Sequence, residues 1–405
     1  MSKHSGFECV ECGQAYDESF RAYVCEKCGG NLNVIYDYTA IAKTLNRKTL
    51  AENRENSVLR YAPVLPVRDG AHFPPVKVGM TPLYKADKTA RKFGVKNLYI
   101  KDDGRNPSCS FKDRASFVVS AVALERGEKV ICGASTGNAA SSMACMTSTM
   151  PVRTIIFVPQ TAPKAKIAQL LVFGAEVITV KGTYDDAFDL CIKASNHYGW
   201  YNRNTGYNPF TREGKKTCAF EICEQLGWAV PDKVFVSVGD GNIISGLHKG
   251  FKELKELGLT DRLPQLIGVQ AEHSNAVALA FESGGKIMPV SGETVADSIS
   301  VSLPRDGRAA VRALKETGGF PVIVSDAEII AAIPELARET GVFAEPAGAT
   351  AYAGIKKARE KGLLKPTDTV AAVITGNGLK DVASAMKAVG EPYLISPDMA
   401  SLEKL

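Results

Sequence analysis

The sequence predicts an α/β protein: two domains built on parallel sheets, with a short metal-binding segment ahead of them. Three observations carry this. Short apolar runs alternate with amphipathic stretches of helical length along most of the chain, the pattern of parallel sheets covered by helices. A chain of 405 residues, 45% apolar and 23% charged, can bury a sizeable core, more readily as two domains than as one. Two Cys-x-x-Cys pairs stand near the N-terminus.

The pairs are Cys9/Cys12 and Cys25/Cys28, separated by twelve residues, with Gly13 and Gly29-Gly30 directly after each. Two thiolates at this spacing ligate one ion, and two such turns complete a tetrahedral zinc shell. The surrounding segment is too short and polar for a core of its own, so a metal would supply its stability. Four cysteines close the shell, which makes the zinc structural. Further along, strands are expected at Asn97–Ile100, Lys129–Cys132, Thr154–Val158, Glu176–Val180, Lys233–Val238, Leu266–Val269 and Thr369–Thr375. Helices are expected at Lys112–Leu124, Ala139–Met146, Lys164–Phe173 and Tyr184–Tyr198.

The stretch Asn106-Pro107-Ser108-Cys109-Ser110-Phe111-Lys112-Asp113-Arg114 puts a lysine at the mouth of an apolar helix. A helix N-terminus favours anions, so a lysine there is electrostatically misplaced. A lowered pKa, leaving a neutral amine to attack a carbonyl, is a reason to place it there. The aldehyde of pyridoxal phosphate (PLP) is that carbonyl. Gly239, Asp240, Gly241, Asn242 and Ile243 follow an apolar strand and open a helix; their amides can cradle the cofactor phosphate, with the Asp240 side chain turned away from it. Ser135-Thr136-Gly137-Asn138 likewise lies between strand and helix, where backbone donors suit an amino-acid carboxylate. Thr375, in Ile374-Thr375-Gly376-Asn377-Gly378, ends another apolar strand.

With Gly79-Met80-Thr81-Pro82-Leu83, Lys101 to Pro107 and Asn208-Pro209 to Thr217, these motifs, in this order, resemble the threonine synthase family. That family belongs to the fold-type II PLP enzymes, the group of the tryptophan synthase β chain. The resemblance implies a zinc-ribbon-like segment at residues 1–38, a large PLP-binding domain from 39–116 and 199–405, and a small mobile domain at 117–198. It implies that Lys112 carries the cofactor, Asn138 meets its ring hydroxyl and the Thr375 hydroxyl meets its ring nitrogen. Lys101, Ser108, Ser110, Thr211 or Arg212 would hold the substrate phosphate, and a homodimer is expected. The implied reaction is O-phospho-L-homoserine and water to L-threonine and phosphate. The alternative is β-replacement or β-elimination, as in an O-phosphoserine-dependent cysteine or cysteate synthase or a serine/threonine dehydratase.

The chain departs from the family at the substrate end. Where threonine synthases read Asn-Pro-x-Arg-x-Glu-Gly, this chain has Thr211, with Arg212 one step along, which on a helix is a turn of about 100°. Asn377 replaces a histidine, and Asn106-Pro107-Ser108-Cys109-Ser110 stands for Asn-Pro-Thr-Gly-Ser. The net charge of +5 is spread out with no Lys/Arg block, so nucleic acid is not an expected partner. Met1 to Gly6 shows no apolar signal region and no run nears about 18 apolar residues; with scattered cysteines besides the four, a soluble cytoplasmic protein is expected.

Overall fold

A computed structural model describes residues 4–162 and 164–403; the expectation drawn from Met1-Ser2-Lys3 falls outside them. Strands β1 (Gly6–Cys9), β2 (Ala15–Tyr16) and β3 (Leu32–Ile35) form an antiparallel sheet in the order β2-β1-β3. After β4 (Leu83–Lys85) and β5 (Asn97–Asp102) come β6 (Val130–Ala134), β7 (Arg153–Pro159), β8 (Glu176–Val180) and β9 (Tyr201–Asn202). The chain then forms β10 (Lys233–Ser237), β11 (Gln265–Ala271), β12 (Phe320–Val324) and β13 (Thr369–Ile374). One sheet runs β12-β11-β10-β13-β5-β4, parallel except for β4, and the other β8-β7-β6-β9, parallel throughout.

Both parallel sheets match the sequence reading, and burial on both faces explains why. In β10 every residue is buried. Successive side chains point to opposite faces, so Val234 and Val236 join Leu247 and Phe251 in one core while Phe235 joins Ile267 and Tyr352 in another. The pairing of β9 with β6 carries the smaller sheet past residue 198, the boundary expected for the small domain. Among the described residues, no helix is long and apolar enough to cross a membrane.

The helix Lys112–Glu125 lies against the helix Phe210–Lys215. A Cβ built on Gly214 would stand 1.8 Å from the Arg114 carbonyl oxygen, so only glycine permits this approach. Next to it, Arg114 pairs with Asp103 at 2.6 Å and Glu221 at 2.5 Å, and Lys101 pairs with Glu221 at 2.6 Å, all without solvent exposure. This charge cluster holds the helix that begins at Lys112 against the large sheet.

Candidate active site

Four loops at carboxyl ends of parallel strands, after β5, β13, β6 and β10, meet around Lys112, where such sheets bind ligands. The first precedes it. Ser108 donates from its amide and hydroxyl to the Asp113 carboxylate (2.6 and 2.5 Å), and Ser110 Oγ accepts from the Lys112 amide at 3.3 Å. These bonds serve the helix start. Cys109 takes a left-handed conformation (φ 62°), its carbonyl accepts from the Asn377 amide at 3.0 Å, and the Phe111 amide donates to the Thr375 carbonyl at 2.8 Å. The loop before Lys112 is thereby stitched to the loop after β13. Thr375 is buried, and among the described residues its hydroxyl has no partner.

Lys112 opens onto a cavity of about 570 Å³, also lined by Ser135, Thr136, Gly137, Asn138 and Gly239 to Ile243. Burial lowers the Lys112 pKa, the Asp240 charge opposes the shift and Arg203 adds to it. The expected neutral amine is thus favoured by its surroundings. Gly239 meets Ile299, with a built Cβ at 2.8 Å from its Cα, and Gly241 has φ +89°; both positions require glycine. Among the described residues the amides of Gly239, Asp240 and Gly241 donate to no protein acceptor. Buried amides lacking partners, ahead of the helix Asn242–Glu256, make an anion cradle. The Asp240 side chain turns to accept from the Arg305 amide at 3.0 Å.

Asn138 begins the helix Asn138–Thr147 and donates from its side chain to Ser298 Oγ (3.0 Å) and Glu345 Oε1 (2.7 Å). An adjoining hollow of about 360 Å³ shares Thr136, Gly137 and Asn138 with the main cavity and is also lined by Glu345 and Lys380.

The structure does not bring every expected substrate residue to this cavity. Lys101 Nζ is committed to Glu221, the Thr81 carbonyl (2.7 Å) and Gln225 (2.9 Å). Thr211 Oγ1 lies on the Asn208 carbonyl at 2.8 Å and near Asn242 Oδ1 at 3.3 Å. Arg212 points the other way, to Asp306 at 2.7 Å and to Asn33 of β3 at 3.2 Å, as its shifted helical phase requires.

Sequence reasoning missed three groups. Glu345, buried, has its carboxyl raised by desolvation to about 7, against the opposing pull of Lys380 and Asn138. Lys215, wholly buried, donates to Asn242 Oδ1 at 2.5 Å; burial, then Lys112 and Arg203, hold its pKa well below the usual range. Arg203, 3% exposed, lines the main cavity. Lys215 stood in the Glu213-to-Thr217 motif among other charged residues, which hid its burial; Arg203 and Glu345 had no local signal.

At the N-terminus the sulfurs of Cys9, Cys12, Cys25 and Cys28 all lie within 4.8 Å of one another, with close pairs at 3.5 to 3.7 Å. The cluster docks beside the Gly239–Ile243 loop: Asn31 donates to the Arg305 carbonyl (2.8 Å) and Asp306 (3.0 Å), and Arg308 pairs with Glu11.

The profile of the pyridoxal-phosphate dependent enzyme family matches residues 76–376. The chain is 40% identical to a threonine synthase of Methanocaldococcus jannaschii, over 98% of both chains. It is 37% identical to a threonine synthase of Methanosarcina acetivorans, over 98% of this chain and 97% of that one. Among solved structures, a processed threonine deaminase isoform from Solanum lycopersicum superposes with a TM-score of 0.66 at 25% identity, covering 77% of this chain and 88% of the other. The architecture is that of the fold-type II PLP enzymes.

Proposed function

We propose that this chain, which belongs to the threonine synthase family of pyridoxal-phosphate dependent enzymes, is a carbon–oxygen lyase converting O-phospho-L-homoserine and water to L-threonine and phosphate. The observation that carries the reading is that the desolvated Lys112 amine and the unsatisfied amides of Gly239 to Gly241 meet in one cavity. Lys112, Asn138 and Gly239 to Ile243 line the one cavity, where Lys112 would take the cofactor aldehyde, Gly239, Asp240, Gly241, Asn242 and Ile243 its phosphate and Asn138 its ring hydroxyl; Thr375, on the loop stitched to the one before Lys112, would meet its ring nitrogen. Bound there, it supplies an electrophilic carbonyl for the substrate amine and a ring that withdraws electrons from the adjacent carbons. The Thr375 hydroxyl, unlike a carboxylate, does not force a proton onto the ring nitrogen.

The Thr136 amide and the start of the Asn138–Thr147 helix hold the substrate carboxylate, the Ser135 amide being already given to the Phe157 carbonyl at 3.2 Å. The Lys112 amine carries one proton at a time: it takes one from Cα and gives it up before taking the next from Cβ, and phosphate leaves Cγ. Protons return to Cγ and Cα, water adds its oxygen at Cβ, and the proton water gives up is balanced by the one the released phosphate takes. A structural zinc completes the N-terminal segment, since a tetrahedral shell with Zn–S of about 2.3 Å sets sulfurs about 3.8 Å apart.

Phosphate release from O-phospho-L-homoserine and from O-phospho-L-serine, measured side by side on the purified holoenzyme, tests the reaction. The expected result is phosphate with threonine from the first and little phosphate from the second. The reverse preference would replace this reading with β-elimination or β-replacement.

A further inference from the structure

The main cavity holds a cation that has no carboxylate partner among the described residues. Arg203, immediately after β9, donates through Nε and Nη2 to Ser116 Oγ (3.3 and 3.0 Å) and through Nη1 to Thr205 Oγ1 (2.8 Å). A guanidinium has five N–H groups, so two remain open after these three bonds. Among the described residues no carboxylate lies within 4.0 Å of it, although its side chain is almost entirely buried. Burial lowers its pKa to about 10, only partly offset by Tyr184 and Asp113. A buried, unpaired charge is costly; a bound anion removes that cost.

The other cations nearby have partners, and Lys215, which donates to Asn242 Oδ1, is held towards its neutral form by burial beside Lys112 and Arg203. Arg212 is tied to Asp306 and Lys101 to Glu221. Lys380 spends its three donors on the Ser108 carbonyl, Ser141 and Gln169. Arg305, which also lines the cavity, is 3.7 Å from Asp185 and far more exposed. The anions of the proposed complex also divide cleanly. The cofactor phosphate takes the Gly239–Gly241 amides and the substrate carboxylate takes the Ser135–Asn138 turn, which leaves the substrate phosphate for Arg203.

We propose that Arg203 is the specificity-determining cation that holds the substrate's phosphate, with the open edge of its guanidinium facing the cavity. This deepens the threonine synthase reading and rests on it. Ser116, one helical turn beyond Lys112, aims the guanidinium from the same helix that carries the amine. The leaving group and the base are therefore held by one rigid element.

Inorganic phosphate, the free form of the leaving group, is the probe. Its affinity for the holoenzyme is read from the change in cofactor absorbance, alongside the affinity of L-serine as an amino acid without phosphate. Arg203→Gln should weaken phosphate and raise the KM for O-phospho-L-homoserine about ten- to a hundred-fold, and leave serine affinity within about twofold. Arg203→Lys keeps the charge but loses the planar fork, and should weaken phosphate severalfold. Unchanged phosphate affinity in Arg203→Gln, or in Arg203→Lys if the glutamine variant does not load cofactor, would overturn the proposal. So would an equal loss for serine, which would assign Arg203 to the carboxylate. If the wild-type enzyme releases no phosphate from O-phospho-L-homoserine yet binds inorganic phosphate through Arg203, the site stands and the reaction reading falls.

Discussion

Replacing Arg212 with alanine should cost stability and leave the substrate's phosphate untouched. The Arg212 and Asp306 side chains are 6% and 1% exposed and meet at 2.7 Å. Burial alone would push the Asp306 carboxyl up, but Arg212, Ser245 and Asn31 hold it below the usual range. Removing the guanidinium strands that charge, and breaking one side of a buried pair costs about 3–5 kcal/mol. Asp306 also accepts from Asn242 (2.8 Å) and Ser245 (2.5 Å), so the damage should spread to the start of the helix behind the phosphate cradle. Urea unfolding followed by cofactor absorbance and by tryptophan fluorescence gives the stability loss. Asp306→Asn in the same background should recover part of it, because the neutral amide needs no counter-charge. Enzyme that remains folded should show a KM for O-phospho-L-homoserine close to that of wild type. A stable Arg212→Ala with KM raised tenfold or more would refute this and return the substrate phosphate to Arg212.

The metal and the buried acid give two further expectations. Metal analysis should find one zinc per chain, and chelation should open residues 4–35 to limited proteolysis while the cofactor absorbance persists; a metal-free chain with an intact N-terminal segment would contradict it. Burial keeps the Glu345 carboxyl protonated up to about pH 7, so the folded chain retains a proton that the unfolded chain loses near pH 4.5. Its contribution to stability is therefore present below pH 4.5 and is lost as pH rises to about 7, by about 3 kcal/mol. Glu345→Gln, which keeps the acceptor for Asn138, should flatten that decline in urea unfolding of the cofactor-free chain from pH 5 to 8; an unchanged slope would assign the decline to other groups.

Much of this fold can be read from local sequence, because strands buried on both faces leave unbroken apolar runs. What escapes is short or punctuated. The strand β12 contains Pro321, which argues against a strand in the sequence, yet β12 is a sheet edge, where proline is tolerated. The strand β9 has two residues, too few for any periodicity. At the site, Lys112 and the Gly239–Ile243 loop were legible because each is a local device: one charge at one helix start, and glycines where a Cβ would collide. Arg212 was legible as a charge turned about 100° from the family's arginine if its segment is helical, and the helix Phe210–Lys215 does turn it to Asp306 and the N-terminal sheet. Glu345 reaches Asn138 across 207 residues of chain, and no local pattern encodes such a meeting. The same holds for Arg203, whose importance lies in the carboxylate it lacks.

In the proposed reaction the Lys112 amine both binds the cofactor and moves the protons. Borohydride reduction of the purified yellow protein, followed by peptide mapping, tests it most directly. A single reduced cofactor adduct is expected, on Lys112, with loss of both adduct and turnover in Lys112→Ala and the fold retained. An adduct on Lys215, the other strongly desolvated lysine beside the cavity, or one that survives in Lys112→Ala, would contradict it.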